Sequence, residues 1–293
     1  MRARAARTET VMTALLDDAP LAGETFRPPG LLSAMRHGSL NGGKRLRPFL
    51  FREAAALCGE EGEGIDRVAA ALEFVHCYSL IHDDLPAMDD DDMRRGRPTV
   101  HVAYDEATAI LAGDALMTLA YDAIAAPETD LPADRKAHLI SLLARASGIG
   151  GMGGGQALDL LAETEAPDEA GIVRLQVMKT GALIRFACEG GAVAAGASPD
   201  ERGALRRYGE TIGLAFQLAD DLLDVTQSAE AMGKATGKDA EAGKGTLVAL
   251  RGIDWTRARL AGLVEEAREH LAPFGEDGAM LRAVARFVAL RDH

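Results

Sequence analysis

Long uncharged apolar stretches are missing from this chain of 293 residues, and aromatic side chains make up only 4% of it. No such stretch reaches the roughly 18 residues that a membrane-spanning helix needs. The basic start MRARAARTET also lacks the apolar segment of a signal peptide. The sequence therefore predicts a protein with no membrane insertion.

Positive charge is in deficit, because 32 Lys and Arg face 45 Asp and Glu and leave a net charge of -13. Such a field repels nucleic acid and anionic membranes, so any anionic ligand must be held by local cations. Cysteine is also scarce. Cys58, Cys77 and Cys188 show no metal-type CxxC spacing. An odd, sparse set of this kind is typical of buried thiols in a reducing compartment, so we expect a cytoplasmic protein.

Strand signals are few, since Val, Ile and Thr do not alternate with polar residues over useful lengths. Ala, Leu, Arg and Glu dominate instead, and segments such as IDRVAAALEFVHCYSLI and LRRYGETIGLAFQLADDLLDV have the spacing of buried helices. No linker separates two compositions, and no repeat of fixed period occurs. The sequence predicts an all-α bundle of many helices that forms a single domain over residues 1–293.

An acidic stripe lies within the otherwise apolar segment GLAFQLADDLLDV. Its polar residues share one helix face: Gln217, Asp220, Asp221 and Asp224. Two carboxylates about 4 Å apart repel by roughly 4 kcal/mol at an effective dielectric constant of about 20, so an enclosed cluster must hold protons or a cation. Oxygen ligands favour Mg²⁺ or Mn²⁺ over zinc. A solvated stripe is the alternative, and the apolar flanks disfavour it.

A second acidic cluster, SLIHDDLPAMDDDDMRRG, places six aspartates within positions 83–92. It ends another apolar helix, on which His76, Ser79 and Asp83 share a face. Mg²⁺ usually keeps several waters and takes phosphate oxygens as further ligands. Two such clusters facing each other would therefore bind a diphosphate through metal ions.

Local cations complete the pattern. In NGGKRLRP, two glycines allow close backbone approach, and Lys44 and Arg47 suit a phosphate group, although a basic helix start is the alternative. Together with His76, Arg94 and Arg95 they could hold a second diphosphate without metal. Three lysines belong to the same pattern. Lys179 lies in an apolar segment, where a solvated lysine is not expected. Lys234 and Lys238 lie in a polar loop, where simple exposure to solvent is the alternative.

Four motifs occur in a fixed order: GGKRLRP, DDLPAMDDDDMRRG, GGGQALDL and FQLADDLLD. With these motifs in this order, the chain from about Leu40 to its end resembles the trans-prenyltransferases of the polyprenyl synthetase family. It most resembles the bacterial farnesyl diphosphate synthases. The resemblance implies a helical bundle around a deep central cavity, and a homodimer. It also implies a Mg²⁺-dependent transferase that condenses isopentenyl diphosphate with dimethylallyl or geranyl diphosphate to farnesyl diphosphate. Geranylgeranyl diphosphate is the alternative product.

The resemblance also assigns metal ligands and substrate contacts. Asp83, Asp89 and Asp220 are expected to bind Mg²⁺, with three ions per site and Mn²⁺ as a substitute, supported by Asp84, Asp221 and Asp224. The allylic diphosphate is expected to contact Arg94, Lys179 and Lys238. Isopentenyl diphosphate is expected to contact Lys44, Arg47, His76 and Arg95.

Three further roles come from the same resemblance. Thr180 and Gln217 are expected beside the allylic carbon, and Lys234 in a loop that closes over the site. Tyr78 lies five residues before Asp83, roughly 7.5 Å deeper at about 1.5 Å per residue, and its ring would stop a growing tail. The small Ser79 beside it would block little.

Three other readings remain open from the residues. His82-Asp83 could begin an HD-type phosphohydrolase, although the remaining histidines give no supporting ligand set. Class I terpene cyclases share an Asp-rich first motif, but their second site mixes Asn, Ser and Glu where this chain has DDLLD. A catalytically silent partner subunit would have lost aspartates from one motif, and both are intact here.

Overall fold

The computed structural model describes residues 2–232 and 246–290, which are helical apart from their connections and one two-stranded hairpin. The all-α prediction is confirmed. The chain divides into two compact units, residues 1–141 and 142–293, and each is described by itself. The prediction of one domain over residues 1–293 stays a prediction.

The first unit holds six helices, one hairpin and the start of a seventh helix. In chain order these are α1 (Arg2–Leu15), α2 (Pro29–Ser39), α3 (Leu46–Leu57), α4 (Glu63–Asp83), β1 (Met93–Arg94), β2 (Arg97–Pro98), α5 (Val100–Ala103), α6 (Glu106–Ala125) and α7 (Ala133–Ser147). Helix α4 is the core of this unit, because nearly every residue from Ile65 to Val75 is buried, whichever side of the helix it lies on. It packs mainly against α6, and also against α1, α2 and α3.

A glycine on α6 fixes the carboxyl end of α4. The ring of His82 lies against Gly113, where an added Cβ would come within 2.2 Å of the ring Nε2. The same Nε2 lies 3.1 Å from the carbonyl oxygen of Ile110. Because His82 immediately precedes Asp83, this contact sets where the first acidic motif begins.

Helix α6 is long and apolar enough, by length and composition, to cross a membrane, and 44% of its apolar window is buried inside the protein. Core helices also meet this criterion. Its buried residues include Ala112, Leu116 and Ala120, and the helix packs mainly against α4. We therefore interpret α6 as a core helix with one exposed face.

The second unit begins within α7 and is also helical. In chain order it contains α8 (Met152–Ala162), α9 (Glu169–Gln176), a π-helical turn (Val177–Gly181), α10 (Ala182–Ala195), α11 (Pro199–Met232), α12 (Leu247–Arg251), α13 (Ile253–His270), a 3₁₀ segment (Ala272–Gly278) and α14 (Ala279–Leu290). Helix α11 packs against α10, α13 and α14. Its buried Tyr208 donates a hydrogen bond to the carbonyl oxygen of Leu281 at 2.7 Å.

The π-helical turn is packed between two glycines of neighbouring helices. A Cβ at Gly155 of α8 would lie 2.2 Å from the backbone nitrogen of Lys179. A Cβ at Gly213 of α11 would lie 2.8 Å from the Cα of Gly181. Any larger residue at either position would displace the turn. Such turns occur frequently at functional sites, because the wider backbone re-aims nearby side chains.

The cysteines are free thiols, as expected from their number and spacing. Cys77 and Cys188 are buried, and Cys58 is partly exposed. Burial raises the pKa of Cys77 to about 12 and also raises the pKa of Cys188, so both stay protonated at neutral pH. A cytoplasmic location stays a prediction.

Candidate active site

The first acidic motif starts on the last residue of α4. Pro86 prevents the helix from continuing, and the chain then turns back on itself. The backbone N–H of Asp89 donates to the carbonyl oxygen of Asp83 at 2.8 Å. Asp83 is partly exposed and Asp89 is exposed. Two of the predicted metal ligands are therefore adjacent at the surface of the first unit.

Asp84 has a different role from its neighbour. Its buried carboxylate accepts hydrogen bonds from Arg94, from Nε at 2.8 and 2.9 Å and from Nη2 at 2.6 Å. Burial raises the pKa of Asp84, and the bonds from Arg94 oppose that rise. This pair attaches the β1–β2 hairpin to α4 and holds one edge of the Arg94 guanidinium. The predicted contact of Arg94 with a diphosphate stays a prediction.

The hairpin brings two distant motifs together. Arg95 and Gly96 form its two-residue turn with φ values of 53° and 74°, as a type I′ turn requires. Arg95 then donates from Nη1 to Oδ1 of Asn41 at 3.1 Å and to the carbonyl oxygen of Gly42. Gly43 has a φ of 123°, a value that side-chain-bearing residues rarely adopt, and a Cβ there would lie 2.6 Å from the same Nη1. Arg95 thus lies on the loop that contains Lys44.

His76 lies among arginine side chains in the first unit. Burial lowers its pKa well below the usual value, and a cluster of positive charges lowers it further: Arg47, Arg95, Arg45 and Arg94. The ring is therefore neutral at pH 7. Lys44 is exposed on the adjoining loop. The structure thus brings His76 close to Arg47 and Arg95 and places Lys44 on the loop that Arg95 contacts. Binding of isopentenyl diphosphate by these four residues stays a prediction.

A buried ion pair beneath this cluster was missed by the sequence analysis. Arg45 and Glu73 are each 2% exposed. Nη1 of Arg45 donates to Oε1 of Glu73 at 2.8 Å, and Nη2 donates to the carbonyl oxygen of Ser39 at 2.7 Å. A signal for it existed, since Glu73 interrupts the apolar run VAAALEFV and a buried acid needs a partner.

Tyr78 and Ser79 lie on α4 close to the acidic end. The Tyr78 ring makes an edge contact with His82, with ring centroids 5.8 Å apart. Burial raises the pKa of Tyr78 to about 12, with smaller contributions from Tyr121 and Asp83, so the phenol stays neutral. Ser79 donates its hydroxyl to the carbonyl oxygen of His76 at 2.9 Å. The predicted role of Tyr78 and Ser79 in setting chain length stays a prediction.

In the second unit, a chain of hydrogen bonds surrounds the buried Asp221. Its Oδ1 accepts from Nε2 of Gln217 at 2.9 Å, and its Oδ2 accepts from Nε2 of Gln176 at 2.8 Å. The Thr180 hydroxyl donates to Oε1 of Gln217 at 2.9 Å. Burial raises the pKa of Asp221, and the two amide bonds oppose that rise. Gln176 was missed because it follows the apolar residues of α9 without any motif.

The other acids and lysines that were predicted for the site in this unit fall into three groups. Asp220 is partly exposed and Asp224 is exposed, one turn apart on α11. Lys179 donates to Oδ2 of Asp159 at 2.6 Å, a pair that the sequence analysis did not foresee although GGGQALDL contains that aspartate. Lys234 and Lys238 lie outside the described residues.

Within residues 2–232 and 246–290, no group of three or more His, Cys, Asp or Glu side chains converges to form a ready-made metal site. The available donors nevertheless suit a hard cation. Asp84 and Asp221 are buried in internal hydrogen bonds, whereas Asp83, Asp89 and Asp220 reach the surface of their units. Carboxylate oxygens that leave room for water and phosphate are the donors that Mg²⁺ prefers.

Comparison with known proteins finds one family whose pattern spans parts of both units. The sequence pattern of the polyprenyl synthetase family matches residues 28–272. The chain belongs to the polyprenyl synthetase family. The matched range contains all four motifs of the sequence analysis, so the resemblance to this family is confirmed. Membership sets aside the phosphohydrolase and terpene cyclase readings.

Named relatives in this family cover most of the chain. The farnesyl diphosphate synthase of Escherichia coli is 46% identical over 91% of both chains. A chloroplastic geranylgeranyl pyrophosphate synthase of Arabidopsis thaliana is 41% identical over 97% of this chain and 80% of its own. The solved structure of an FPP/GFPP synthase from Zymomonas mobilis superposes with a TM-score of 0.86 at 40% identity, covering 98% of this chain and 96% of its own.

Proposed function

We propose that this member of the polyprenyl synthetase family is a prenyltransferase that condenses isopentenyl diphosphate with dimethylallyl or geranyl diphosphate and releases farnesyl diphosphate. The observation that carries the proposal is the 46% identity to a bacterial farnesyl diphosphate synthase over 91% of both chains. Geranylgeranyl synthases also occur among the relatives. The aromatic Tyr78, one turn and a half below Asp83 on α4, favours the shorter product.

Asp83, Asp89 and Asp220 are proposed to bind Mg²⁺, with three ions per site and Mn²⁺ as a substitute. Bound to the allylic diphosphate, these ions would supply positive charge that stabilises the leaving group. Asp84 and Asp221 support the neighbouring ligands from buried positions, and Asp224 from the next turn of α11.

Cationic side chains would hold the departing diphosphate beside those ions. Arg94 and Lys179 are proposed for this role, together with Lys238. The carboxylates of Asp84 and Asp159 fix the first two cations before substrate arrives. Charges that are already oriented need no reorganisation when the carbon–oxygen bond breaks, and such preorganisation is usually the largest electrostatic contribution to catalysis.

The allylic carbon becomes positively charged as that bond breaks, and Thr180 and Gln217 are proposed to stabilise it. The amide N–H of Gln217 donates to Asp221, so its carbonyl oxygen is the group that accepts from Thr180. The Thr180 hydroxyl hydrogen is used in that bond, and its oxygen lone pairs remain available to the cation. The network thus presents oxygen atoms, rather than hydrogens, to the developing charge.

Isopentenyl diphosphate would be held by Lys44, Arg47, His76 and Arg95. Its double bond attacks the allylic cation, a new carbon–carbon bond forms, and the departing diphosphate takes the proton that is lost. Because His76 is neutral at pH 7, its ring can donate one hydrogen bond to the substrate without adding to the surrounding positive charge.

Incorporation of radiolabelled isopentenyl diphosphate into an acid-labile lipid tests the proposal. Wild-type protein with geranyl diphosphate and Mg²⁺ should make a fifteen-carbon product after phosphatase treatment, and EDTA should abolish it. Asp220→Asn should abolish incorporation, whereas Asp200→Asn, an exposed acid in the first turn of the same helix, should not. A wild-type protein that forms no product in Mg²⁺ would contradict the proposal and favour a silent partner subunit.

A cytoplasmic homodimer is proposed on the basis of the family resemblance. The exposed face of α6 supports it, because Ile110 and Leu111 are 45% and 55% exposed there. An apolar face of this kind suits a second copy of the chain better than water. Sedimentation equilibrium should give twice the mass of one chain, and Ile110→Asp should give a single chain.

A further inference from the structure

The loop between α2 and α3, residues 40–45, contains three residues with positive φ, and one of them is an arginine. The φ angles are 81° at Gly42, 123° at Gly43 and 47° at Arg45. Glycine adopts such values readily, but an arginine does not, because its Cβ crowds the backbone. A side chain held in this region persists only where its surroundings over-determine it. Contacts of Arg45 must therefore stabilise the loop.

Those contacts come from inside the first unit. The Arg45 guanidinium donates to Glu73 on α4 at 2.8 Å and to Ser39, the last residue of α2, at 2.7 Å. It also lies 3.3 Å from Oε1 of Glu9 on α1. Burial is the largest single influence and acts to lower the pKa of Arg45, but Glu73, Cys77 and Glu9 together raise it, so the guanidinium keeps its charge. Three helices thus hold one side chain in one place.

We propose that Arg45 and Glu73 are positioning residues for the diphosphate of isopentenyl diphosphate. The inference rests on the proposed function, which assigns Lys44 and Arg47 to that diphosphate. Lys44 directly precedes Arg45, and Arg47 follows it within the first turn of α3. The anchored residue therefore fixes the direction of both neighbours. Arg45 itself is buried and bonded to Glu73 and Ser39 inside the first unit, so its effect is indirect.

A second buried ion pair offers a matched control. Arg52 and Asp66 are 6% and 2% exposed, and Nη2 of Arg52 lies 3.0 Å from Oδ1 of Asp66. The pair joins α3 to α4, like Arg45 and Glu73, but Arg52 lies about two turns further along α3. Removing either acid takes the buried carboxylate away from a buried arginine and should destabilise the fold. Each acid change also touches a third charge, because Glu9 stays near Arg45 and Asp66 also pairs with Arg7. Only one of the two pairs lies at the loop.

The test compares Glu73→Gln with Asp66→Asn, because each change removes a charge and keeps the side-chain shape. Both variants should melt at a lower temperature. Only Glu73→Gln should raise the KM for isopentenyl diphosphate, by about tenfold or more, since small misplacements of binding groups have effects of that size. Its KM for geranyl diphosphate and its kcat should change little. Calorimetry with isopentenyl diphosphate in EDTA should show the same selective loss of affinity without any metal-dependent step.

Arg45→Lys provides a second variant if Glu73→Gln does not fold. Lysine keeps the charge but not the fork that reaches both Glu73 and Ser39, so an intermediate KM is expected. Equal KM changes in the Glu73 and Asp66 variants would overturn the inference, and so would an unchanged KM in a Glu73 variant with lowered melting temperature. A wild-type protein that transfers no prenyl group and binds no isopentenyl diphosphate would overturn the proposed function as well.

Discussion

Replacing Tyr78 by alanine should lengthen the product by one five-carbon unit. Tyr78 lies five residues before Asp83 on α4, and the next residue on the same face is Phe74, four residues further. Four residues of helix span roughly 6 Å. A five-carbon unit adds roughly 5 Å to an extended chain of carbon–carbon bonds of about 1.5 Å each. The space opened therefore admits one unit, and the buried Phe74 blocks a second.

Product analysis by chromatography after phosphatase treatment measures this directly. Tyr78→Ala should convert the main product from fifteen to twenty carbons, and Tyr78→Phe should leave it unchanged because the ring remains. Tyr104→Ala removes an exposed ring on the same unit and should also leave the length unchanged. Tyr78 is only partly buried, so we expect a loss of at most about 3 kcal/mol in stability, and the assay belongs well below the melting temperature. A fifteen-carbon product from Tyr78→Ala would refute the reasoning.

Three further expectations concern stability and rate. The pKa of His76 is lower in the folded protein than in the unfolded chain, so below about pH 6.5 the unfolded chain binds one more proton. The free energy of unfolding should therefore fall by up to about 1.4 kcal/mol per pH unit until the folded pKa is reached. In denaturant titrations His76→Gln should make this pH dependence shallower, and an identical slope would contradict the expectation. Gln176→Leu removes one donor from the buried Asp221 and should lower the free energy of unfolding by about 1–3 kcal/mol. Because Asp221 orients Gln217, kcat should also fall in steady-state assays, and an unchanged kcat would exclude a positioning role for Gln176. Gly155→Ala should lower the free energy of unfolding by about 1–3 kcal/mol through its clash with the π-helical turn, whereas Gly262→Ala, with open space around it, should raise that free energy slightly.

Local spacing was enough to predict the helices and the position of both acidic motifs. The apolar residues around Asp83 and Asp220 recur at helical intervals, and only a helix packed against other helices removes such residues from water. The pattern therefore favoured a packed helix over a strand or a loop at both places. The same argument correctly identified Gln217 as part of the acidic face. Those predictions depend on residues that are close in sequence.

The missed contacts depend on residues that are far apart in sequence. Arg45 and Glu73 are 28 positions apart, and Gln176 and Asp221 are 45 apart. Nothing in KRLRP shows that the second of its cations turns inward, because the choice depends on where α4 offers a carboxylate. The turn at Arg95 was also hidden, since a non-glycine residue with positive φ carries no reliable local signal.

The π-helical turn makes chain length itself a determinant at Val177–Gly181. Deleting one residue there would leave an ordinary α-helix, because the widened turn contains one residue more than α-helical spacing requires. Helices α9 and α10 would keep their relative rotation, because the wide turn already accommodates the extra residue. Gln176 lies before the turn and would keep Asp221, whereas Lys179 and Thr180 lie within it and would be re-aimed. A deletion that preserves both helices would thus disturb the side chains of one turn and leave the neighbouring contacts intact.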